Sequence, residues 1–164
     1  MIDVRNATLD DIADCHRCLD TVAREGRWLS RLAAPPLDRF ADYMAELHRA
    51  GAPQIVACDG EVVGWCDVRL DPSPTRAHVG TLGMGLLEPY RGQGIGRRLL
   101  KLAMEQARER GLERIELTVL DGNVAAEALY RRPGFLVEGR RIRDWKHDGM
   151  YQDSILMAFV FAAS

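Results

Sequence analysis

The stretch EPYRGQGIGRRLL (residues 88–100) decides the fold, because a strand-like apolar run leads into it and a helical pattern follows it. Its three glycines, Gly92, Gly94 and Gly96, alternate with larger residues. The first amide groups of a helix have no acceptor inside the helix, and the helix dipole adds positive potential there. Glycine also lets a ligand come close to the backbone. The stretch therefore predicts a turn that binds a phosphate group at the start of a helix.

Two common phosphate loops do not fit this spacing. The Walker loop needs Gly-Lys followed by Ser or Thr, and the sequence contains no such tripeptide. The dinucleotide fingerprint needs a third glycine at a position where Arg97 or Leu99 stands. Further basic residues, Arg91, Arg98 and Lys101, surround the turn. We therefore expect a diphosphate ligand of another class.

The length and the charge of the chain limit its number of domains and its classes of partner. A chain of 164 residues suits one domain with one core, covering residues 1–164. The net charge of −2 argues against nucleic acid and acidic membrane surfaces as partners. The N-terminus lacks the apolar segment of a signal peptide, and the apolar run at residues 155–163 is about half as long as a membrane-spanning helix. We expect a cytoplasmic protein without nucleic-acid or membrane partners.

Four cysteines need an explanation, because CHRC (residues 15–18) has a redox or metal spacing. This pair lies within a helical apolar pattern, and no second pair or HxxxH motif completes a metal site. We therefore expect a buried Cys15, a partly exposed Cys18 and no bound metal. Cys58 and Cys66 alternate with apolar residues in strand patterns, which favours the same structural role.

The predicted elements follow the order β-α-α-β-β-β-α-β-α-β-β. Thr8 begins the first helix, and a second helix covers residues 38–50. Asp59-Gly60 is typical of a two-residue hairpin turn, and Gly111 ends the helix that follows the phosphate loop. The last two strands are expected near residues 135–141 and 151–161. This order predicts a mixed α/β sheet with an antiparallel start and a βαβ crossover at its centre.

The third long strand, residues 78–87, contains the glycines Gly80, Gly83 and Gly85. Glycine weakens a strand unless a bulge or a close backbone approach requires it. We therefore expect an irregular feature within this strand.

Two segments of the sequence resemble one known family. RGQGIG (residues 91–96) resembles the [RQ]-x-x-G-x-[GA] signature of the GNAT superfamily of acetyl-CoA-dependent N-acetyltransferases. ELTVLDGNVAAEALYRRPGFLVEG (residues 116–139) resembles the downstream block of that superfamily, at Asn123, Ala126, Leu129, Tyr130, Gly134 and Phe135. The resemblance implies an α/β fold with a mixed, mostly antiparallel, splayed central sheet flanked by helices. It also implies acetyl-CoA as the cosubstrate and no metal.

The resemblance assigns residues to the cofactor. In such a fold the pantetheine arm lies between the splayed strands, so Gly83 and Gly85 would mark a bulge that opens the gap. The backbone of Leu86 and Leu87 would contact pantetheine. Asn123 and Ala126 would contact the cofactor from the next helix, which Asn123 also caps. The pyrophosphate would be held by Arg91, Gly92, Gln93, Gly94, Ile95, Gly96 and Arg97.

Acyl transfer to an amine needs a proton donor for the leaving thiolate and a proton acceptor for the amine. Tyr130 stands where the superfamily places the acid, although the same tyrosine would also serve to pack its helix on the sheet. Many relatives use a glutamate on the central strand as the base, but residues 77–87 contain no acid. His78, Glu88 and Glu25 remain alternatives for the base, as does a water chain.

The C-terminal segment bears on the acceptor. GFLVEGRRIRDWKHDGMYQDSILMA (residues 134–158) resembles the branch that acetylates free amino acids, amino-acid-like herbicides and ribosomal-protein N-termini. The resemblance implies a primary amine of a small molecule or a peptide. Trp28, Trp145 and Tyr151 would line its site, or else lie on the surface or in a homodimer contact. A non-catalytic acyl-CoA sensor and a nucleotide-binding redox domain are the rival functions.

Overall fold

The computed structural model describes residues 1–162, which form four α-helices and seven strands. The helices are α1 (Ile12–Arg24), α2 (Leu37–Arg49), α3 (Ile95–Glu109) and α4 (Val124–Arg131). The strands are β1 (Asp3–Asn6), β2 (Gln54–Asp59), β3 (Glu61–Leu70), β4 (Val79–Leu86), β5 (Arg114–Leu120), β6 (Leu136–His147) and β7 (Met150–Val160). The single domain expected for the whole chain stays a prediction.

The sheet opens at its centre. In the order β1-β2-β3-β4-β5-β7-β6, β4 and β5 are parallel neighbours and the other neighbours are antiparallel. The last pair between β4 and β5 joins Thr81 to Glu116, whereas β4 continues to Leu86 and β5 to Leu120. The two strands therefore separate beyond Thr81. This confirms the predicted mixed, mostly antiparallel and splayed sheet.

Helices cover both faces of the sheet. Successive side chains of a strand point to opposite faces, so β2 contributes to two cores. Ile55 belongs to the core formed with Leu99 and other residues of α3. Val56 belongs to the core formed with Cys15 and Phe40, from α1 and α2. Within residues 1–162 no helix has the length and apolar character needed to cross a membrane.

The start of α1 is fixed by a buried acid. Thr8 precedes a short 3-10 turn (Leu9–Asp11), so the α-helix begins at Ile12, later than expected. The Asp11 carboxylate accepts hydrogen bonds from the Thr8 amide at 2.7 Å and the Thr8 hydroxyl at 3.0 Å. It also accepts two hydrogen bonds of 2.8 Å from the Arg5 guanidinium. The Arg5 guanidinium thus holds the pKa of Asp11 at about 2.

The cysteine prediction is confirmed for Cys15 but wrong for Cys18. Cys15 is 5% exposed and Cys18 is 1% exposed, because α1 turns a wide apolar stripe towards α2 and the sheet. Burial raises the pKa of both thiols to about 12. All four cysteines are free thiols, and the described residues contain no group of three potential ligands that could hold a metal ion.

The expected bulge in β4 is wrong, because the register between β3 and β4 is continuous from residue 80 to residue 86. Gly80 and Gly85 instead make room for side chains of β3. A Cβ at Gly80 would lie 2.4 Å from Val68 Cγ1, and a Cβ at Gly85 would lie 2.2 Å from the Trp65 ring. The gap between β4 and β5 therefore opens without any irregularity on the β3 side.

The last hairpin is longer than expected. β6 extends to His147, six residues beyond the predicted end, and a turn at Asp148-Gly149 connects it to β7. β6 is an edge strand with mostly exposed side chains, so its charged sequence shows no alternation that would predict a strand. A register shift lies between Arg141 and Trp145, where Arg143 has a φ of 52°.

Candidate active site

The gap between β4 and β5 exposes backbone polar groups. The Leu87 amide donates to the Val63 carbonyl at 2.9 Å, so this pair is a hydrogen-bonded one. Because such pairs alternate along an antiparallel ladder, the backbone of Leu86 points away from β3 and towards β5. The Leu86 carbonyl accepts a 2.8 Å hydrogen bond from Arg91 Nε. Leu86 and Leu87 are the two predicted pantetheine contacts. The backbone of Leu86 faces the gap, whereas the Leu87 amide already donates to the Val63 carbonyl.

The loop after β4 presents unpaired amide groups. Gly92 and Gly94 have φ angles of 72° and 79°, which explains why glycine is needed at both. A Cβ at either position would meet no atom within 4 Å, so the space beside the loop is open. In the described structure no group accepts a hydrogen bond from the amides of residues 92–97. This arrangement fits a diphosphate at the start of α3.

Gly96, by contrast, has a packing role. A Cβ there would lie 3.4 Å from Leu129 Cδ2 and 3.6 Å from Met84 Cε. The first turn of α3 therefore packs closely against α4 and β4, which fixes the direction in which its amides point.

Arg91 and Glu25, predicted for separate roles, bind each other. Arg91 Nη1 and Nη2 donate to the two carboxylate oxygens of Glu25 at 2.9 Å and 2.6 Å. Since Arg91 also donates to the Leu86 carbonyl, one guanidinium joins the end of α1 to β4 and the phosphate loop. Both Glu25 oxygens are engaged, so Glu25 is placed to position Arg91 rather than to take a proton.

A basic groove continues from the loop between α3 and α4. It has a volume of about 330 Å³. Its cationic residues are Arg97, Lys101 and Arg132, and its apolar residues include Leu100 and Met104. One acid, Glu105, also lines it and lies 3.8 Å from Lys101 Nζ. A groove of this composition suits a further phosphate group with an attached flat or apolar moiety.

Asn123 begins α4 as predicted. Its side-chain oxygen accepts from the Ala126 amide at 3.3 Å, so the cap is present but long. Its side-chain NH2 makes no hydrogen bond within residues 1–162, so this donor is free for a ligand.

Tyr130 lies in the core with a free hydroxyl. It is 7% exposed, and its ring lies 5.8 Å from that of Phe135. Burial raises the pKa of Tyr130 above its usual value, so the phenol stays protonated. Its hydroxyl has no hydrogen-bond partner among the residues that the structure describes. The side chain therefore keeps a hydrogen-bond donor available for an anionic or electron-rich ligand atom.

The two other bases predicted from the sequence are exposed at the surface. Glu88 is exposed in the turn that follows β4. His78 is exposed just before β4, at the end where β4 and β5 are still paired. Neither residue lines the cavity described below.

The three predicted aromatic residues also lie outside that cavity. Trp28 stacks with Arg27, whose guanidinium lies 4.9 Å from its ring, and Tyr151 contacts Arg143 and Lys146. Trp145 Nε1 is shielded from solvent, and it has no hydrogen-bond partner among the described residues.

A cavity of about 420 Å³ lies on the α1 and α2 side of the opened sheet. Its walls are mostly apolar and include Leu19, Leu29, Phe40, Met44, Trp65 and Met84. Three arginines, Arg31, Arg39 and Arg69, also line it. The loop that closes it is tied to α1 by a 2.9 Å hydrogen bond from the Ala34 amide to Asp20.

Sequence reasoning missed the acid in this cavity, Asp67 of β3. Asp67 pairs with Gly83 of β4, and a Cβ at Gly83 would lie 3.5 Å from Asp67 Oδ1. The Tyr43 hydroxyl donates to the same oxygen at 3.3 Å. Burial raises the pKa of Asp67 to about 7. The missed signal was the hairpin register, which places residue 67 opposite residue 83.

β4 connects these features. Gly83 and Met84 line the cavity, Leu86 faces the gap, and the unpaired amides follow directly. A ligand with a diphosphate and a long arm would extend from the loop along the gap to the cavity. The end of that arm would meet a molecule held in the cavity beside Asp67.

Comparisons with known proteins agree with this geometry. Residues 15–135 match the model of the Acetyltransferase (GNAT) family. The L-amino acid N-acetyltransferase AaaT of Escherichia coli is 33% identical over 125 residues, which are 75% of this chain and 74% of that protein.

Two solved structures have the same fold. The ribosomal-protein-alanine N-acetyltransferase of Brucella melitensis superposes with a TM-score of 0.89 at 26% identity, covering 97% of this chain and 99% of that one. The phosphinothricin acetyltransferase of Sinorhizobium meliloti, solved in complex with acetyl-CoA, superposes with a TM-score of 0.89 at 20% identity, covering 97% and 88%. The chain belongs to the GNAT acetyltransferase family, whose enzymes transfer an acetyl group from acetyl-CoA to an amine.

Proposed function

We propose that this enzyme acetylates the primary amine of an amino acid or of an amino-acid-like small molecule. The observation that carries the proposal is the continuous path along β4, from the unpaired amides of residues 92–97, through the gap beyond Thr81, to the apolar cavity beside Gly83. Acetyl-CoA has the diphosphate and the long arm that such a path fits.

The geometry supports a set of residues that would hold acetyl-CoA. The amides of residues 92–97 would bind the diphosphate, and the backbone of Leu86 would pair with the pantetheine arm. Arg97 and Lys101 would bind the remaining phosphate in the basic groove. The side-chain NH2 of Asn123 would donate to the arm from the opposite side of the gap. When bound, acetyl-CoA supplies an acetyl thioester at the end of the gap.

Tyr130 would assist the departure of the thiolate. Its hydroxyl is protonated and free, so it can donate a hydrogen bond to the sulfur as negative charge develops there. Arg91, held by Glu25, would keep the Leu86 carbonyl and the phosphate loop in position.

The cavity supports an amino acid as the acceptor. An α-amino acid presents an ammonium group, a carboxylate and a side chain. Asp67 suits the ammonium group, the arginines Arg31, Arg39 and Arg69 suit the carboxylate, and the apolar walls suit the side chain. The names of AaaT and of the phosphinothricin enzyme support the same acceptor class.

A second acceptor is a protein N-terminus, which likewise carries an amine next to a backbone. The likeness to the Brucella melitensis enzyme, whose name contains ribosomal-protein-alanine, favours it. An N-terminal peptide has no free α-carboxylate, so the arginines distinguish the two acceptors.

Thiol release from acetyl-CoA, measured with a panel of amines, tests the proposal. The panel contains free L-amino acids, their carboxamides and short peptides with the same first residue. Saturable release with at least one amino acid and a weaker reaction with its carboxamide are expected. Preference for the peptide would favour the protein acceptor. Binding of acetyl-CoA without release for any amine would favour an acyl-CoA sensor and refute the proposal.

We also infer that the enzyme acts in the cytoplasm as a homodimer. Four free thiols suit a reducing compartment. The last hairpin exposes Leu136, Ile142 and Met150, which suit a contact with a second copy. Light scattering after gel filtration tests the dimer, and a monomer at micromolar concentration would contradict it.

A further inference from the structure

We propose that Asp67 is the residue that binds the acceptor ammonium group and takes its proton. The inference rests on the proposed function and concerns the same cavity. β4 contains no acid, and neither Glu88 nor His78 reaches the cavity. β3 therefore supplies the carboxylate that the central strand lacks.

The position of Asp67 supports this role. Its pairing partner Gly83 lies two residues beyond Thr81, where β4 leaves β5. Residues directly opposite each other on antiparallel strands place their side chains on the same face. Since Gly83 has no side chain, the Asp67 carboxylate extends over the β4 backbone, with Oδ1 3.5 Å from the point that a Cβ of residue 83 would occupy. A carboxylate at this point faces the place where the arm from the gap enters the cavity.

Asp67 has no strong internal partner among the described residues. Tyr43 is the sole hydrogen-bond donor to Asp67 among the described residues, at 3.3 Å, which is long for an O–H···O bond. Asp67 Oδ2 has no hydrogen-bond partner in residues 1–162, and Asp67 forms no salt bridge there. A carboxylate in such a site gains more from binding an ammonium group than one already paired with arginine does.

The groups that face Asp67 set its proton affinity. Tyr43 comes from α2, and Arg69 from β3. Arg31 from the loop, Arg39 from α2 and Cys15 from α1 line the same cavity. Burial raises the pKa of Asp67, whereas the Tyr43 hydrogen bond and the charge of Arg69 lower it, which leaves it at about 7. A base with a pKa raised to this range is partly ionised at neutral pH, which suits proton transfer.

The step balances with the groups already named. The Asp67 carboxylate takes one proton from the ammonium group, which leaves a lone pair on the amine nitrogen. That pair forms the C–N bond to the acetyl carbon as the C–S bond breaks, and the sulfur keeps the bonding pair. The nitrogen then loses a second proton, and Asp67 releases the proton that it took. One of these two protons passes to the thiolate and the other to solvent, so the products are the amide and the free thiol. Asp67 returns to its starting state.

The test compares Asp67→Asn with Asp59→Asn as a control. Asp59 also accepts a hydrogen bond from a tyrosine hydroxyl, that of Tyr90 at 3.0 Å, but it lies at the β2–β3 turn outside the cavity. With the best amine of the panel, kcat/KM of Asp67→Asn is expected to fall about 100-fold or more at pH 7, as for loss of a general base. The Kd of Asp67→Asn for acetyl-CoA is expected to equal that of the unaltered enzyme. The control Asp59→Asn is expected to keep the kcat/KM of the unaltered enzyme.

The pH profile separates a proton acceptor from a merely structural aspartate. In the unaltered enzyme kcat/KM is expected to rise through pH 7, because the base must be ionised. Tyr43→Phe removes a hydrogen bond that lowers the pKa of Asp67, so its profile should shift to higher pH while its rate recovers above pH 8. This variant also tests the inference should Asp67→Asn fail to fold.

The role of Asp67 and the proposed function are contradicted by different results. A rate for folded Asp67→Asn within about threefold of the unaltered enzyme, or a Tyr43→Phe profile that does not shift, overturns the role of Asp67 and leaves the proposed function intact. The absence of turnover with any amine in the unaltered enzyme overturns both.

Discussion

Two glycines on the same face of β4 should respond in opposite ways to alanine. Gly85 faces the Trp65 ring, and Gly83 faces the Asp67 carboxylate. Neither has a left-handed backbone conformation, so alanine is sterically allowed for both backbones. The difference between Gly85→Ala and Gly83→Ala is therefore set by what the added methyl group meets.

The magnitudes follow from the contacts. At Gly85 the added carbon would lie 2.2, 2.5 and 2.8 Å from three ring atoms of Trp65, so the ring must move by about 1 Å to reach a normal carbon contact. Such overpacking costs about 1–3 kcal/mol, which lowers the Tm of a domain of this size by about 2–12 °C. At Gly83 the nearest atom lies 3.5 Å away, an ordinary contact. Alanine there should stabilise the strand by about 0.5 kcal/mol.

Thermal unfolding of both variants, followed by circular dichroism, checks the stability, and thiol release checks the activity. Gly83→Ala is expected to keep or raise the Tm while lowering kcat/KM, because its methyl group occupies space beside Asp67. Gly85→Ala is expected to lower the Tm. An equal Tm change for the two variants would refute the packing explanation, and full activity of Gly83→Ala would contradict the position of the acceptor.

Three further variants test the site and its frame. Tyr130→Phe keeps the ring packing but removes the donor, so kcat should fall about 100-fold with the Kd of acetyl-CoA unchanged; unaltered turnover across the pH range would exclude Tyr130 from the mechanism. Glu25→Gln weakens the hold on Arg91, so the KM for acetyl-CoA should rise by up to about fivefold at similar kcat, as expected for a partly exposed ion pair. Asp11→Asn should lower the free energy of unfolding by about 2 kcal/mol at pH 7 in urea titrations, because Arg5 stabilises the ionised acid. The pKa of Asp11 is lowered by folding, so this contribution is present above about pH 4 and disappears towards pH 2; a variant with the same acid unfolding curve would contradict it.

The sequence predicts best what is determined locally. The loop at residues 91–96 combines glycines at positive φ with the start of a helix, and both features depend on a few neighbouring residues. Asn123 caps α4 for the same reason. The splayed sheet is predicted only by the resemblance to a family, because no local pattern in β4 or β5 reveals that their pairing ends at Thr81.

The errors concern interactions between segments that are distant in the sequence. The glycines of β4 indicated a bulge, but Gly85 accommodates Trp65 and Gly80 accommodates Val68, both from the preceding strand. The sequence predicts a partly exposed Cys18, but Cys18 is buried. The prediction fails because the width of the buried stripe of α1 depends on how α2 packs against it. The end of β6 was missed because an edge strand of charged residues has no apolar alternation.

The sequence also fails to predict Asp67 as the candidate base, again because the interaction joins two different strands. In the sequence, Asp67 alternates with the buried Cys66 and Val68, a pattern typical of the solvent-facing side of a half-buried strand. A search for the base along β4 finds no acid, because the acid lies one strand away. The hydrogen-bonded pair of Leu87 and Val63 fixes the register, and two-residue steps along the ladder make residues 67 and 83 a hydrogen-bonded pair as well. With about 5.5 Å between the Cα atoms of such a pair, a side chain at residue 67 reaches the space that glycine leaves empty at residue 83. The aspartate and the glycine therefore have to be considered together, since either residue alone has an ordinary structural explanation.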